Sequence, residues 1–138
     1  MLKKSITYTD FDDVERTEDF FFHLSKSELM EMDFSATGGM NKTIESIINA
    51  RDTKRLIEIF KDLILKSYGE KSLDGKRFVK IVDGKRLADD FSQTAAYDSL
   101  FMELATNTGA ATEFILGVIP KELSAEIQKN DLMEKIEA

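Results

Sequence analysis

The sequence predicts a mainly α fold, an N-terminal β-hairpin packed on a bundle of about five helices, and three observations carry that reading. Leu56, Ile57, Phe60, Leu63, Ile64 and Tyr68 fall on one helical stripe, and Tyr97, Leu100, Phe101 and Leu104 form a second. Near the start, Ile6 and Tyr8, then Phe20, Phe22 and Leu24, recur at period two, the spacing of a half-buried strand. The 138 residues, 42% of them hydrophobic and 10 of them Phe, supply enough apolar surface for one core without disulfides or metal.

The elements follow in chain order. Two β-prone runs flank Asp12-Asp13, a weaker turn signal than Asp-Gly because only Gly takes positive φ freely. An isolated hairpin is marginal in water, so its Phe face needs helices or another chain to cover it. Ser25 and Glu28 form a capping box that opens a short helix to about residue 32. Ile44, Ile47 and Ile48 mark a helix near 40–51, and Asp52 caps the clearest helix, 53–68, which Gly69 stops. Residues 70–83 read as a loop around Asp74-Gly75 and Asp83-Gly84, with room for one short strand. Leu87 to Phe91 suggests one or two helical turns, and helices near 94–106 and 109–119 follow, the last ended by Pro120. Residues 1–120 therefore form a single helical domain with its hairpin. Residues 121–138 form a polar, helix-prone, partly ordered tail whose apolar residues are too sparse for a core helix.

Charge and chemistry narrow the function. The net charge of −7 is uneven: residues 1–34 hold nine acids and four bases, residues 51–86 eleven bases and six acids, and residues 87–120 five acids and no base. Such blocks steer association with partners or with copies of the same chain. With no Cys, thiol nucleophiles, thiolate metal sites and disulfides are excluded. His23, the single histidine, sits among Phe residues without the neighbours that a triad or metal site requires, so its role reads as structural. The carboxylate pairs Asp12/Asp13, Glu18/Asp19 and Asp89/Asp90 read as solvated charge, because general acid–base work needs two carboxyls in unlike environments within one cleft. Gly38-Gly39 carries no phosphate-loop motif around it and reads as a chain break. The lysines and arginines of 51–86 alternate with acids, which argues against nucleic acid. No apolar run approaches the ~20 residues of a membrane span, and Ser5, Thr7 and Thr9 stand where a signal peptide is apolar. The expectation is a non-enzymatic, cofactor-free protein that acts in the cytoplasm by binding other proteins.

Several stretches together resemble the tail assembly chaperones of long-tailed, siphovirus-type bacteriophages and prophages of Gram-positive bacteria. They are Ile6-Thr7-Tyr8-Thr9-Asp10-Phe11-Asp12-Asp13-Val14-Glu15-Arg16-Thr17-Glu18-Asp19-Phe20-Phe21-Phe22, the join Leu24-Ser25-Lys26-Ser27-Glu28-Leu29, the run Leu63-Ile64-Leu65-Lys66-Ser67-Tyr68-Gly69-Glu70-Lys71-Ser72, and Phe91-Ser92-Gln93-Thr94 with Tyr97 and Phe101-Met102-Glu103-Leu104. The resemblance rests on layout over residues 5–120, and Asp12-Asp13 departs from the Asp-Gly of the family's hairpin turn. It implies a protein that binds and solubilises the tape measure protein and helps recruit major tail tube subunits, in some relatives through a longer frameshifted form. It also implies residence in the host cytoplasm and absence from the mature virion. The alternatives are a structural virion or head–tail connector protein and a small regulatory protein-binding module. A homo-oligomer is expected, with no nucleic acid and no membrane as partners. Leu29, Met30 and Met32 of the short helix and Leu132, Met133 and Ile136 of the tail are the candidate partner-interface residues, since neither segment is long or apolar enough to be used up by the core.

Overall fold

The computed structural model describes residues 1–31 and 53–120. Two eight-residue strands, β1 (Leu2–Thr9) and β2 (Glu15–Phe22), pair antiparallel from Leu2↔Phe22 at the base to Thr9↔Glu15 at the tip. Strand alternation splits the hairpin into two faces. Lys3, Ser5, Thr7 and Thr9 are exposed, whereas Ile6 is buried and Leu2 and Tyr8 pack against the core. On the exposed face Ser5 donates to Asp19, Thr7 and Thr17 share a hydrogen bond of 2.9 Å, and Lys3 lies 3.5 Å from Asp19.

The capping box forms as its spacing requires. The backbone amide of Ser25 donates to Glu28 at 3.0 Å and the amide of Glu28 donates to the Ser25 hydroxyl at 3.2 Å, opening α1 (Lys26–Glu31). Helix α2 (Thr53–Ser67) buries Phe60, Leu63 and Ile64 along its stripe. It does not run through Tyr68 to a glycine cap. The chain turns directly into β3 (Tyr68–Lys71), and Gly69 is a strand residue. A Cβ there would stand 2.6 Å from a ring carbon of Phe78 and 2.7 Å from the carbonyl oxygen of Val79, so close strand approach, rather than helix termination, is what this glycine permits.

The mainly α expectation is therefore corrected. Strands β3 and β4 (Phe78–Val79) extend the hairpin into a four-stranded antiparallel sheet of order β1-β2-β3-β4. A separate two-stranded unit joins β5 (Ile81–Val82) to β6 (Lys85–Arg86). Residues 70–83, read as a loop with room for one short strand, hold the end of β3 and all of β4 and β5, with β6 just beyond, hidden in sequence because none exceeds four residues and period-two alternation cannot show over two. With five helices among the described residues, the architecture is helices layered on one face of a sheet.

The remaining helices are α3 (Leu87–Phe91), α4 (Ala95–Thr106) and α5 (Thr108–Val118). Thr94 caps α4 by accepting from the amide of Tyr97 at 3.1 Å. Asn107, extended at φ −132° and ψ 102°, ends α4 and caps α5 by accepting from Ala110 at 3.0 Å. Ile119 is extended before Pro120, which stops α5. Helix α4 packs on β1, α2 and α5, while α3 packs on β3.

Phe91 holds the aromatic centre: it stacks on Tyr68 at 4.2 Å and lies 5.2 Å from Phe20, 5.9 Å from Phe22 and 5.9 Å from Tyr97. Phe22, fully buried, also meets Phe114 edge-on at 5.2 Å. Hairpin and helices thus share one core. The helix expected near 40–51, the cap at Asp52, Gly38-Gly39 and the tail 121–138 lie outside the described residues.

Candidate functional site

Among the described residues, besides the scattered Met1, Ile57, Leu73 and Met102, two places group exposed apolar side chains beside charge, and they stand at opposite ends of the N-terminal hairpin. The first is its tip. Asp10 Oδ1 accepts from the amides of Asp12 at 2.9 Å and Val14 at 3.0 Å, and the Asp10 amide donates to the Val14 carbonyl at 2.9 Å. Arg16 clamps the other carboxylate oxygen; that bond first, then the amide of Val14, holds the Asp10 carboxyl below the usual carboxylate range. Asp13 takes φ 61°, in the left-handed region that Asp tolerates better than most residues. Local hydrogen bonds thus fix the turn, and it carries Phe11 outward, 84% exposed, with Val14 exposed beside it.

The second lies at the hairpin base. A cleft of about 330 Å³ opens between Leu65 and Lys66 of α2, Tyr68 of β3 and Ile81 of β5. Glu28 and Glu31 of α1 close one side and Arg86 of β6 another. Ile81 and Val82, 62% and 47% exposed, are the apolar residues of β5. Lys80 organises the floor. Its ammonium donates to the carbonyls of His23 at 2.8 Å and Lys66 at 2.7 Å and pairs with Glu28, and it stands 5.8 Å from the centre of the Phe78 ring. Burial pushes the Glu28 carboxyl up, but the hydrogen bonds from Lys80 and the Ser25 amide, with the charge of Lys80, outweigh it and leave it lowered.

His23 lines no catalytic arrangement. Its ring meets Phe78 edge-on at 5.8 Å, and among the described residues its buried Nδ1 has no hydrogen-bond partner. Burial, then the positive N-terminal amine and Lys80, lowers its pKa. Three members of the acid pairs are committed to neighbours: Glu18 accepts from Tyr8, Asp19 from Ser5, and Asp89 pairs with Arg86 at 2.9 Å. Among the described residues no group of three or more His, Cys, Asp or Glu could hold a metal ion, and no helix is long and apolar enough to cross a membrane.

The interface residues expected from sequence are placed unevenly. Leu29, expected on an open face, is 5% exposed and belongs to the core, because the capping box turns α1 so that Leu29 points inward. Met30 lies in α1. Met32, Leu132, Met133 and Ile136 lie outside the described residues. Sequence reading missed Phe11 and Ile81 as surface residues, since a lone aromatic in a turn and an apolar pair in a supposed loop show no periodicity. The signal available was Phe11 between two acids, where no strand face could bury it.

A family model described as phage tail assembly chaperone matches residues 1–137. No curated protein and no solved structure matches the chain.

Proposed function

The chain belongs to the phage tail assembly chaperone family, and from that premise we propose that it binds the tape measure protein in the host cytoplasm, keeps it soluble, and helps bring tail tube subunits to it. An elongated amphipathic client made before its tube exists has an apolar stripe with nothing to cover it. The observation that supports the reading is the pairing of exposed apolar side chains, Phe11, Leu73, Ile81, Val82 and Met102, with a net charge of −7. Apolar contacts cover the stripe, and the acidic remainder keeps complexes apart. The protein leaves before the virion is complete, and a longer frameshifted form supplies the contact with the tube protein. Siphovirus-type phages and prophages of Gram-positive bacteria are the source we infer. Met30, Met32 and, in the tail, Leu132, Met133 and Ile136 are further contacts in this proposal.

The test is co-expression with the long helical protein encoded immediately downstream. The client is expected in the soluble fraction and in a pull-down only when this chain is present. Equal solubility of the client with and without the chain overturns the reading.

A further inference from the structure

We propose that the upper half of β2, from Glu15 to Asp19, is a docking edge that takes a basic, extended segment of another protein as an added strand. The edge is distinct from the tip and from the Lys80 cleft, and the inference does not rest on the client reading.

Two hydrogen bonds fix which way the backbone of this strand faces. Val14 turns its carbonyl toward the β1 side, where it accepts from the amide of Asp10 at 2.9 Å. His23 turns its amide the other way and donates to the carbonyl of Ser67, just before β3, at 2.7 Å. Successive residues of an antiparallel pair face their backbone groups to alternate sides, so Glu15, Thr17, Asp19 and Phe21 share the direction of His23. Phe21 is answered by Gly69 of β3. Beyond that pair the two strands part. Glu70 and Lys71 pair only with Val79 and Phe78 of β4, and a cleft of about 410 Å³ opens between residues 18–21 and 68–71. The amides and carbonyls of Glu15, Thr17 and Asp19 therefore face outward with no described strand beside them, and residues 15–19 are exposed throughout. An unpaired edge selects its ligand by conformation, because only an extended chain matches its spacing.

Charge selects among extended chains. Residues 10–19 hold six acids and one base. Asp10 is paired with Arg16, and Asp19 stands 3.5 Å from Lys3. Glu18 bonds the uncharged hydroxyl of Tyr8, and among the described residues no cation pairs with it or with Asp12, Asp13 or Glu15. Four carboxylates thus stand uncompensated along the edge and at its end, a surplus that a strand bearing Lys or Arg meets and an acidic strand does not. In the cleft Phe20, Phe21 and Tyr68 add apolar surface, and the charges of Glu70 and Lys71 offset each other. The other long strand, β1, carries Lys3 and Lys4 and packs on α4 with Lys4 on Glu103 at 2.9 Å, so the acid surplus belongs to β2.

The test is amide hydrogen exchange of the full chain, followed by nuclear magnetic resonance. In the free chain the amides of Arg16 and Glu18, which face β1, should exchange slowly, and those of Thr17 and Asp19 at least tenfold faster. The probe is the capped peptide Lys-Thr-Val-Lys-Val-Thr-Lys. At saturation it should slow Thr17 and Asp19 at least fivefold and leave Ser5 and Thr7 of β1 unchanged, and raised salt should weaken it. The same peptide with Glu for every Lys should bind at least tenfold more weakly. Thr17→Pro removes an amide that faces outward, so the β1 ladder and the circular dichroism spectrum should survive while the peptide binds at least tenfold more weakly. The double variant Glu15→Lys with Glu18→Lys, which alters no backbone group, should weaken it as much. Equal binding of the acidic peptide, slowing at Ser5 and Thr7 instead, or variants that bind as the parent does each overturn the proposal. So does slowing of Thr17 and Asp19 in the chain alone as its concentration rises, since a second copy would then be the occupant.

Discussion

The N-terminal hairpin has strands of eight residues and a turn in which Asp13, a non-glycine, takes φ 61°. The β5–β6 hairpin has strands of two residues, and its turn sets Asp83 at φ 51° and Gly84 at 77°. The first buries Ile6 and Phe22 in the core, whereas the second leaves Ile81 and Val82 exposed. A hairpin with that much buried surface tolerates an unfavourable turn, because burying one large side chain contributes about 1.5–3 kcal/mol and the turn penalty is about 1–2. A hairpin with almost no buried surface depends on a turn whose two positive φ angles match the twist of its strands, which Asp-Gly provides.

That contrast can be broken most severely from the side of burial. Phe22→Ala removes the fully buried ring that meets Tyr68, Phe91 and Phe114, and should cost about 3–5 kcal/mol, read as a large drop in the urea midpoint. A loss below about 1 kcal/mol would mean that the hairpin is not part of the common core. Gly69→Ala forces a methyl against the Val79 carbonyl, which as backbone cannot swing away, and should cost about 1–3 kcal/mol.

The turns come next in size. Gly84→Ala has open space for its methyl but the wrong φ, so a loss of about 1 kcal/mol isolates backbone strain from packing. Asp13→Gly should go the other way, stabilising by roughly 0.5 kcal/mol as relief at φ 61° exceeds the added chain entropy. Thermal melts of the pair, run side by side, sharpen the comparison, and opposite signs are the expected outcome.

The smallest effect is electrostatic. Since the pKa of His23 is lowered in the folded state, the unfolded chain binds the proton more readily. Stability is then fully present above the unfolded value of about 6.5 and falls as pH drops below it toward the folded value. Urea melts at about pH 7.5 and 5.5 should show this loss, and His23→Gln should reduce it. Asp10 and Asp19, lowered respectively by Arg16 and by Ser5 with Lys3, act only near the carboxylate range, well below that window.

What could be read from residues alone follows the same division. The stripe around Phe60, the period-two run to Phe22, the Ser25/Glu28 box and the Asn107 break each repeat a pattern or satisfy a cap, and each element appears, although the helix of the first ends before Tyr68 and leaves Ile57 exposed. Residues 68–86 were illegible as strands for two reasons: Gly69 pairs with Phe21, far away in sequence, and the local pairs β3–β4 and β5–β6 have arms too short to show alternation. Asp83-Gly84 was a visible turn signal, but two-residue arms gave it nothing periodic to join. The candidate surfaces were less legible still. Leu29 has the same apolar character whether it faces the core or water, and only the tertiary fold decides which.

One join in the fold bears on how the chain is made. Leu2 packs so closely on α5 that a methyl on Gly117 would stand 2.9 Å from it, and the amide of Leu24 donates to the carbonyl of Val118 at 2.8 Å. The first strand is thus completed by the last described helix. At ~5–20 residues per second, a ribosome reaches that helix roughly 5–20 seconds after Phe22 is made. Through that interval the aromatic face of the nascent hairpin waits for its cover, so this chaperone passes through the condition of a client before it can relieve one.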